Sequence, residues 1–419
     1  LTDGANIYIA GNGTLNISSD SNVTVTSSSA SNIMDLTINN NTIGYGINSN
    51  SSLIVTTNYK STASLGLTGN TAAVWDASAT AVTADLEVFN ALGGLSGTAL
   101  KNAIATMHPA TGGAEAASVS ISGSSMSTAG TRMAYTRQTG LGKGMNAGGA
   151  TLDESMWVQI FGANVDQDNV SGISGYDADG QGLAMGIDGM SEDGMTRIGI
   201  AGSFANTDVT GKDSTTKTTT DIDTTQVMVY ANKDYADGMY VEGVASYAFN
   251  DNTGTRRILV GAVDRTASSA YDSGVFAVNV EAGWPKENDG VTITPTLGLA
   301  YSHLSSDAYT ETGAGNMNLK VTPGDVSTFE SKVGVKITGK SVDADGGIGR
   351  PEVRIGVTHN FGDDTADSTA TFTAGGTSFK TTGVETDSTK VDLGLGYTYT
   401  TPEGDTDISV NIDGRSSSS

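Results

Sequence analysis

Residues 291–301 read VTITPTLGLAY, and the side chains of this stretch alternate between large apolar groups and small or hydroxyl-bearing ones. Because successive side chains of a β-strand point to opposite faces, a period of two predicts a strand with one apolar and one polar face. The same alternation recurs along the C-terminal half of the chain, in residues 275–284, 329–337, 353–361, 390–399 and 406–412. This half is therefore predicted to be all-β.

Two kinds of antiparallel sheet fit this alternation. A soluble sandwich buries its apolar faces between two sheets, whereas an outer-membrane barrel turns them to lipid and encloses the polar faces. The connections favour the barrel, because short turns and long loops follow each other in strict alternation. The short ones are 190–195, 232–238, 285–290, 339–350 and 401–405, and the long ones are 164–180, 205–223, 250–273, 303–326 and 362–388. We predict a transmembrane antiparallel β-barrel.

The number of strands adds a further expectation. Eleven strands are predicted, near residues 156–163, 181–189, 196–204, 224–231, 239–249, 274–284, 291–302, 327–338, 351–361, 389–400 and 406–413. Single-chain bacterial barrels have an even number of strands. We therefore expect a barrel of the twelve-stranded type whose closing strand is missing from this sequence; the alternative is a count that is wrong by one.

Residues 1–80 form the first of three predicted units. Short β-prone pieces such as 7–9, 23–25 and 53–55 are separated by turns of Asn, Ser and Gly. Stacked rungs of a parallel β-helix have this texture, with polar turns around a narrow aliphatic core. We predict a parallel β-helix fragment here, and a piece of an ordinary β-sandwich is the alternative.

Residues 81–150 form the second unit, and residues 151–419 the predicted barrel. Apolar residues recur at helical spacing through 84–107, and Pro109 ends that pattern. The following stretch, 113–137, is rich in Ser, Gly and Ala and is too polar to be a good isolated helix. We predict that it needs a surrounding tunnel to define it.

Composition and motifs exclude several function classes. The formal net charge of −24 argues against a nucleic-acid partner, because an acidic surface repels phosphate. The absence of cysteine excludes disulfides, thiol catalysis and Cys-ligated metal, and the three histidines are scattered. No catalytic or nucleotide-binding motif is present, and no apolar run reaches the roughly 20 residues of a membrane helix. We predict no enzyme and no cofactor or metal, and we expect a processed or trimmed fragment because the chain opens at Leu1.

Several segments resemble, in order along the chain, the autotransporter family of type V secretion. The segment FNALGGLSGTALKNAIATMHPATGGAEAAS (89–118) is similar to the linker before the family's pore helix. MWVQIFG (156–162) and GQGLAMGID (180–188) resemble its first two strands, and ISVNIDG (408–414) resembles its penultimate strand. The resemblance extends over about residues 85–415, and the shared order carries it, since each motif alone is weak. The family's terminal strand, which usually ends in an aromatic residue, has no counterpart.

The resemblance implies an outer-membrane translocator that exports its own N-terminal passenger and anchors it at the cell surface. Residues 1–80 would be the end of a β-helical passenger, 81–150 a linker and pore-threading helix, and 151–419 the translocator. The implied partners are outer-membrane lipid and lipopolysaccharide, the barrel-assembly machinery and the passenger itself, and we expect a monomer. An adhesin is the family-level hypothesis for the passenger. A porin-like channel and a soluble surface adhesin are the alternatives.

Two sets of residues follow from this reading. Residues 113–137 would run down the barrel lumen, where Arg132 and Arg137 would pair with inward-facing acids; the alternative is that both arginines are solvated. The candidate acids are Asp188, Glu242, Glu281 and Asp392. Aromatic residues near strand ends would lie at the membrane interfaces, with ordinary strand packing as the alternative. The candidate aromatics are Trp157, Tyr230, Tyr240, Trp284 and Tyr397.

Overall fold

The computed structural model of the chain describes residues 13–17, 32–40, 53–111, 113–139, 153–213, 216–363, 365–402 and 407–417. Within these ranges, three short strands and five helices precede a large sheet. They are β1 (Gly13–Ile17), β2 (Met34–Asn40), β3 (Leu53–Tyr59), α1 (Thr62–Leu65), α2 (Gly69–Ala84), α3 (Leu86–Gly93), α4 (Gly97–Ala105) and α5 (Gly113–Thr139). In the described part of the chain, no helix is long and apolar enough to cross a bilayer.

Eleven long strands form one curled sheet, in which each strand pairs antiparallel with its neighbour along the chain. They are β4 (Asp153–Gln167), β5 (Tyr176–Met190), β6 (Thr196–Gly211), β7 (Thr219–Asp234), β8 (Tyr240–Val260), β9 (Val263–Gly283), β11 (Val291–Ser306), β14 (Val326–Gly339), β16 (Ile348–Asn360), β19 (Thr389–Thr400) and β20 (Asp407–Ser416). Among the described strands, β4 and β20 are the two edges. The predicted antiparallel sheet of eleven strands is confirmed. We call the concave side of this sheet the lumen.

Shorter strands lie in the connections, namely β10 (Lys286–Asn288), β12 (Tyr309–Thr310), β13 (Leu319–Pro323), β15 (Ser341–Val342), β17 (Ser368–Phe372) and β18 (Phe379–Thr381). The strands β12, β13, β17 and β18 pair into a four-stranded sheet, which we call the loop sheet. The predicted long link 250–273 differs from expectation, because β8 and β9 continue through it as a tall hairpin that reverses at Gly261 (φ +61°). We call the edge that carries these long connections the loop rim.

The apolar face of the sheet points outward. Strand register places Leu297, Val333, Val357 and Val391 side by side across four strands. All four are about half exposed, from 48% to 63%, although they are large and apolar. Such rows follow from the period of two, because paired residues share a face and every second residue repeats it. The result is a belt of apolar side chains around the outside of the curled sheet.

A charged residue placed in this belt should destabilise the folded protein far more than a charged residue placed outside it. Val333 lies mid-strand and is 63% exposed, whereas Val342 lies in the short connection after β14 and is 64% exposed. We expect Val333→Arg to lower the free energy of unfolding in lipid vesicles by about 2–4 kcal/mol, because an arginine at mid-bilayer is desolvated. Denaturant titration in vesicles measures this. Val342→Arg is the matched control, and equal losses for both variants would show that the belt does not face hydrocarbon.

Helices α1–α4, which we call the helical unit, pack on the loop rim. Their apolar residues share one core with the tip of the β8–β9 hairpin and with the loop sheet. This core includes Val74, Trp75, Val82, Phe89, Leu92, Ile104, Ile258, Val263, Met317, Leu319 and Phe372. Burial of this apolar surface joins the segment before the lumen helix to the connections of the large sheet.

The region before residue 80 differs from the predicted parallel β-helix. The described strands β1, β3 and β2 pair antiparallel, in that order, so the expected parallel rungs are wrong here. The predicted boundary at residue 80 also falls inside α2. That helix buries small and polar residues such as Asn70, Ala77 and Ala81 beside its large apolar ones, so its helical period is weak in the sequence. The predicted pieces 7–9 and 23–25 lie outside the described residues.

Candidate functional site in the lumen

Helix α5 lies in the lumen against the inner faces of β4 to β9. Several of its buried side chains toward the sheet are small, among them Ser122, Ser125 and Ala129. The hydroxyl groups of Ser125 and Ser203 are 2.6 Å apart, and Gln226 Nε2 donates a hydrogen bond to Ser122 Oγ (3.1 Å). Met126, Ala129 and Met133 form the apolar part of this contact. A polar, Ser-rich helix is stable here because the sheet supplies its partners.

Asp188 is the centre of the first polar cluster between α5 and the sheet, and its side chain is fully buried. It accepts hydrogen bonds from Arg132 Nε (2.8 Å), Ser155 Oγ (2.8 Å) and Tyr230 Oη (2.9 Å). The fully buried guanidinium of Arg197 also donates to this carboxylate. Two arginines and two hydroxyls therefore compensate one buried charge, which is the condition under which such a charge is tolerated.

Arg137 belongs to a second cluster, near the end of α5. Its Nη2 donates to Glu242 Oε2 (2.9 Å), and its guanidinium lies 3.5 Å from the centre of the Tyr240 ring. Asp234 lies farther away, at 3.9 Å from Nη1. Stacking on the ring and pairing with a carboxylate are both favourable for a planar guanidinium. The two clusters hold the last two turns of α5 to β5 and β8.

The other two candidate acids pair within the sheet. Glu281 accepts a hydrogen bond from Tyr240 Oη (2.8 Å) and forms an ion pair with Lys336. Asp392 accepts from Arg415 Nε (2.8 Å) and from Thr358 Oγ1. Both acids face the lumen, but in the described structure neither contacts an arginine of α5. The structure thus brings Asp188 and Glu242 to the helix and leaves Glu281 and Asp392 on the wall.

The predicted interface aromatics fall into two groups. Trp157, Tyr230 and Tyr240 are 8%, 2% and 2% exposed and lie on the lumen side, so the prediction of membrane contact is wrong for them. Trp157 Nε1 donates to Tyr230 Oη (2.7 Å), which connects it to the Asp188 cluster. Side chains two positions apart on a strand share a face. These residues lie an even number of positions from lumen-facing neighbours, so they also face the lumen. Trp284 and Tyr397 are 39% and 49% exposed, and their interfacial role stays a prediction.

Two arginines of the site were missed by the sequence reading. Arg197 lies six positions before Ser203 on β6, so the period of two places both side chains on the same face of the strand. This even spacing is the signal in the sequence that could have found Arg197. Arg256 lies in the stretch read as a loop, and its guanidinium is 5% exposed. It donates to both oxygens of Glu311 (2.9 and 2.6 Å) and to the main-chain oxygens of Thr106 and Met317 (both 2.9 Å). Arg256 thereby joins β8, the loop sheet and the end of the helical unit.

A second ion pair fastens the helical unit to the β8–β9 hairpin. Asp85 caps the first turn of α3 and accepts two hydrogen bonds from Arg265 (2.5 and 3.2 Å). Burial alone would raise the pKa of Asp85, but the hydrogen bonds from Arg265 and from the α3 backbone hold this pKa below its ordinary value. Among the described residues, no group of three or more His, Cys, Asp or Glu is arranged to hold a metal ion.

An apolar outer belt and a polar lumen occupied by a helix define an outer-membrane barrel with a filled pore. Residues 156–413, more than half of the chain, match the family model of the autotransporter beta-domain. The chain therefore belongs to the autotransporter beta-domain family. It is an outer-membrane translocator domain for a passenger, and the matched domain is a secretion domain.

The similar curated proteins are outer membrane proteins of Rickettsia species. Outer membrane protein A of Rickettsia conorii is 25% identical over 249 residues, which are 58% of this chain and 12% of that protein. Outer membrane protein B of Rickettsia typhi is 24% identical over 224 residues, covering 51% of this chain and 14% of that protein. The chain thus spans only a small part of these relatives.

Two solved structures are similar at lower identity. The beta domain of the Bordetella autotransporter BrkA superposes with a TM-score of 0.45 at 15% identity, covering 63% of this chain and 92% of that one. The translocator domain of the autotransporter NalP from Neisseria meningitidis has a TM-score of 0.42 at 16% identity, covering 69% of this chain and 95% of that one.

Proposed function

We propose that α5 is the retained end of the exported segment, and that it both plugs the lumen and ties the passenger to the membrane. The observation that carries this proposal is the pair of buried arginine–carboxylate contacts, Arg132 with Asp188 and Arg137 with Glu242. A helix held at two points by partly buried ion pairs resists withdrawal, because separation leaves charges without partners. The same contacts fix its rotation in the lumen.

The helical unit and the strands β1–β3 then lie on the outer side of the membrane. This placement is supported by the core that the helical unit shares with the β8–β9 hairpin at the loop rim, which carries the long connections. Residues up to about 111 are the exported part, α5 is the lumen segment, and residues from 153 onward are the translocator. The division is drawn after α4 and not at residue 80, because α2 spans Gly69–Ala84.

The wider partners follow from the membrane setting. We propose that the apolar belt contacts outer-membrane lipid and lipopolysaccharide, that the barrel-assembly machinery inserts the sheet, and that the protein acts as a monomer. Adhesion is the passenger activity that we propose, since the exported part is held firmly at the surface. Antibody binding to strands β1–β3 on intact cells tests the outward orientation.

Reversal of one charge at the helix end tests the plug. We expect Arg137→Glu to raise the conductance of the purified protein in planar bilayers several-fold, because Glu242 would repel the new carboxylate at a site now spanned by a 2.9 Å hydrogen bond. The double variant Arg137→Glu with Glu242→Arg should restore most of the closed state. Arg257→Glu, at an exposed pair with Asp264, is the control. Unchanged conductance in Arg137→Glu would contradict the plug.

A further inference from the structure

The segment before the lumen helix is attached to the sheet at several successive points. Along the chain, strands β1–β3 come first, then the helical unit, and then α5. A pull on an exported passenger would act at the N-terminal end of this series. Since tension in a polypeptide passes along its covalent backbone, the pull reaches α5 only after every earlier attachment to the sheet has broken.

The first attachment joins α2 to the loop sheet. Asn70, which is buried, donates from Nδ2 to Thr382 O (2.9 Å), and the Thr382 amide donates to Asn70 Oδ1 (2.9 Å). The turn between β17 and β18 also approaches α2 closely, because a Cβ atom on Gly376 (φ +117°) would lie 2.8 Å from Ala77 O. This contact holds the helical unit to the connection after β16.

The second attachment lies between α2 and α3. Arg265, near the tip of the β8–β9 hairpin, donates to the carboxylates of Asp85 (2.5 Å) and Glu87 (2.8 Å). From the connection after β11, Asn316 Nδ2 donates to Ala84 O (3.0 Å). Two different connections of the sheet therefore hold the middle of the helical unit.

The third attachment immediately precedes α5. Arg256 Nη1 donates to Thr106 O (2.9 Å), and the Leu259 amide donates to Thr106 Oγ1 (3.2 Å). Glu311 accepts two hydrogen bonds from the same guanidinium, and the side chains of Arg256 and Glu311 are both buried. Separation of such a group from its partners is costly, because it leaves a buried charge uncompensated.

The attachments lead directly into the large sheet. Arg256, Leu259 and Arg265 belong to β8 and β9, whose residues are paired without interruption from Val260–Val263 at the tip to Tyr240–Gly283. A load on the tip is therefore shared by many backbone hydrogen bonds of one antiparallel ladder. Detachment of the helical unit would also expose the apolar core that it shares with the hairpin and the loop sheet.

We infer that the helical unit, the tip of the β8–β9 hairpin and the loop sheet form a mechanical clamp, which carries the load on the exported passenger and shields α5 from it. The inference rests on the proposed outward placement of residues up to about 111. It goes beyond the plug, because it assigns the load to the loop rim and leaves closure of the lumen to α5.

The position of a pulling handle tests the clamp. The protein is inserted in one orientation into a supported bilayer and pulled at constant force from the loop side. The handle is either a tag before Leu1 or a DNA strand on Ala110→Cys, since the chain has no cysteine of its own. Ala110 is exposed and follows the third attachment.

The two handles should give different lifetimes. The tag before Leu1 should hold at least about tenfold longer than the handle at Ala110, because only the tag loads the buried pairs of the clamp. With the tag, residues 60–111 should be released before α5 leaves, in a stage about 170 Å long at roughly 3.3 Å per residue. Equal lifetimes, or the absence of this stage, would overturn the inference.

Two variants weaken the clamp from the side of the sheet. Arg256→Ala and Arg265→Ala leave the sequence of the helical unit intact, and circular dichroism checks that each variant folds. Each should shorten the clamp stage by about tenfold, because a buried carboxylate loses its partner. Arg257→Ala is the matched control, since Arg257 is about half exposed and pairs with the exposed Asp264. Equal clamp stages in all three variants would overturn the inference.

The same recordings separate the clamp from the proposed plug. Arg137→Glu should shorten only the later stage, in which α5 is withdrawn. If the clamp variants act and Arg137→Glu does not, the clamp stands and the proposed hold on α5 is wrong. If Arg137→Glu acts and the clamp variants do not, the hold on α5 stands and the clamp is wrong. If none acts, both are wrong.

Discussion

Replacement of Asp188 by alanine is expected to loosen the lumen helix and to destabilise the barrel more than any other single loss of charge in the lumen. The carboxylate is fully buried and accepts hydrogen bonds from Arg132, Arg197, Ser155 and Tyr230. Its removal leaves the positive charges of Arg132 and Arg197 close together without a negative charge between them. Loss of one partner from a buried ion pair costs about 3–5 kcal/mol.

Unfolding of the protein in lipid vesicles by urea measures this loss. Asp208→Ala is the control, because Asp208 is an exposed acid of the same hairpin and lies opposite Asp179. It should change the free energy of unfolding by no more than about 0.5 kcal/mol. Similar values for the two variants would mean that the Asp188 cluster contributes no more than a surface acid.

The second large effect is expected outside the membrane, at Trp75 of α2. Its side chain is 3% exposed, packs edge-on against Tyr59 at 5.5 Å, and donates from Nε1 to Lys60 O (2.8 Å). It thus links strand β3 to the core of the helical unit. Trp75→Ala should destabilise this unit by about 3–5 kcal/mol, because it leaves a large cavity in the core and one carbonyl without its donor.

Limited proteolysis on intact cells measures the effect, since cuts within residues 60–105 should appear at much lower protease concentrations. Leu86→Ala is the control, because Leu86 belongs to the same unit but is 62% exposed. The large sheet should stay resistant in both variants. If Trp75→Ala is as resistant as Leu86→Ala, the helical unit is not held by this core.

The large sheet could be read from the sequence because its signal is local and repeated. A period of two tells which side chains share a face, and eleven repeats with alternating connections leave few other arrangements. The same period of two also indicated that the side chains of Trp157, Tyr230 and Tyr240 point into the lumen. Their aromatic type alone suggests the interface, whereas parity places them inside; Tyr240, for example, lies two residues from the inward-facing Glu242.

The helical unit and the loop sheet could be predicted only in part. The helical spacing of residues 84–107 predicted α3 and α4, but α2 has a weak period and was missed. Arg256 and Glu311 lie 55 positions apart in segments that read as loops, so nothing local indicates that they meet. The tall β8–β9 hairpin and the loop sheet depend on each other and on the helices for their core.

The sequence by itself determined the strands, their order, the outward apolar face and the identity of the lumen helix, because each of these is set by spacing over a few residues. Only the tertiary structure decided which acids meet Arg132 and Arg137, and how the helical unit packs on the β8–β9 hairpin and the loop sheet. Those outcomes depend on strand register and curvature, which bring together residues 56 positions apart for Arg132 and Asp188 and 105 positions apart for Arg137 and Glu242. Short-range patterns carry no record of such distances.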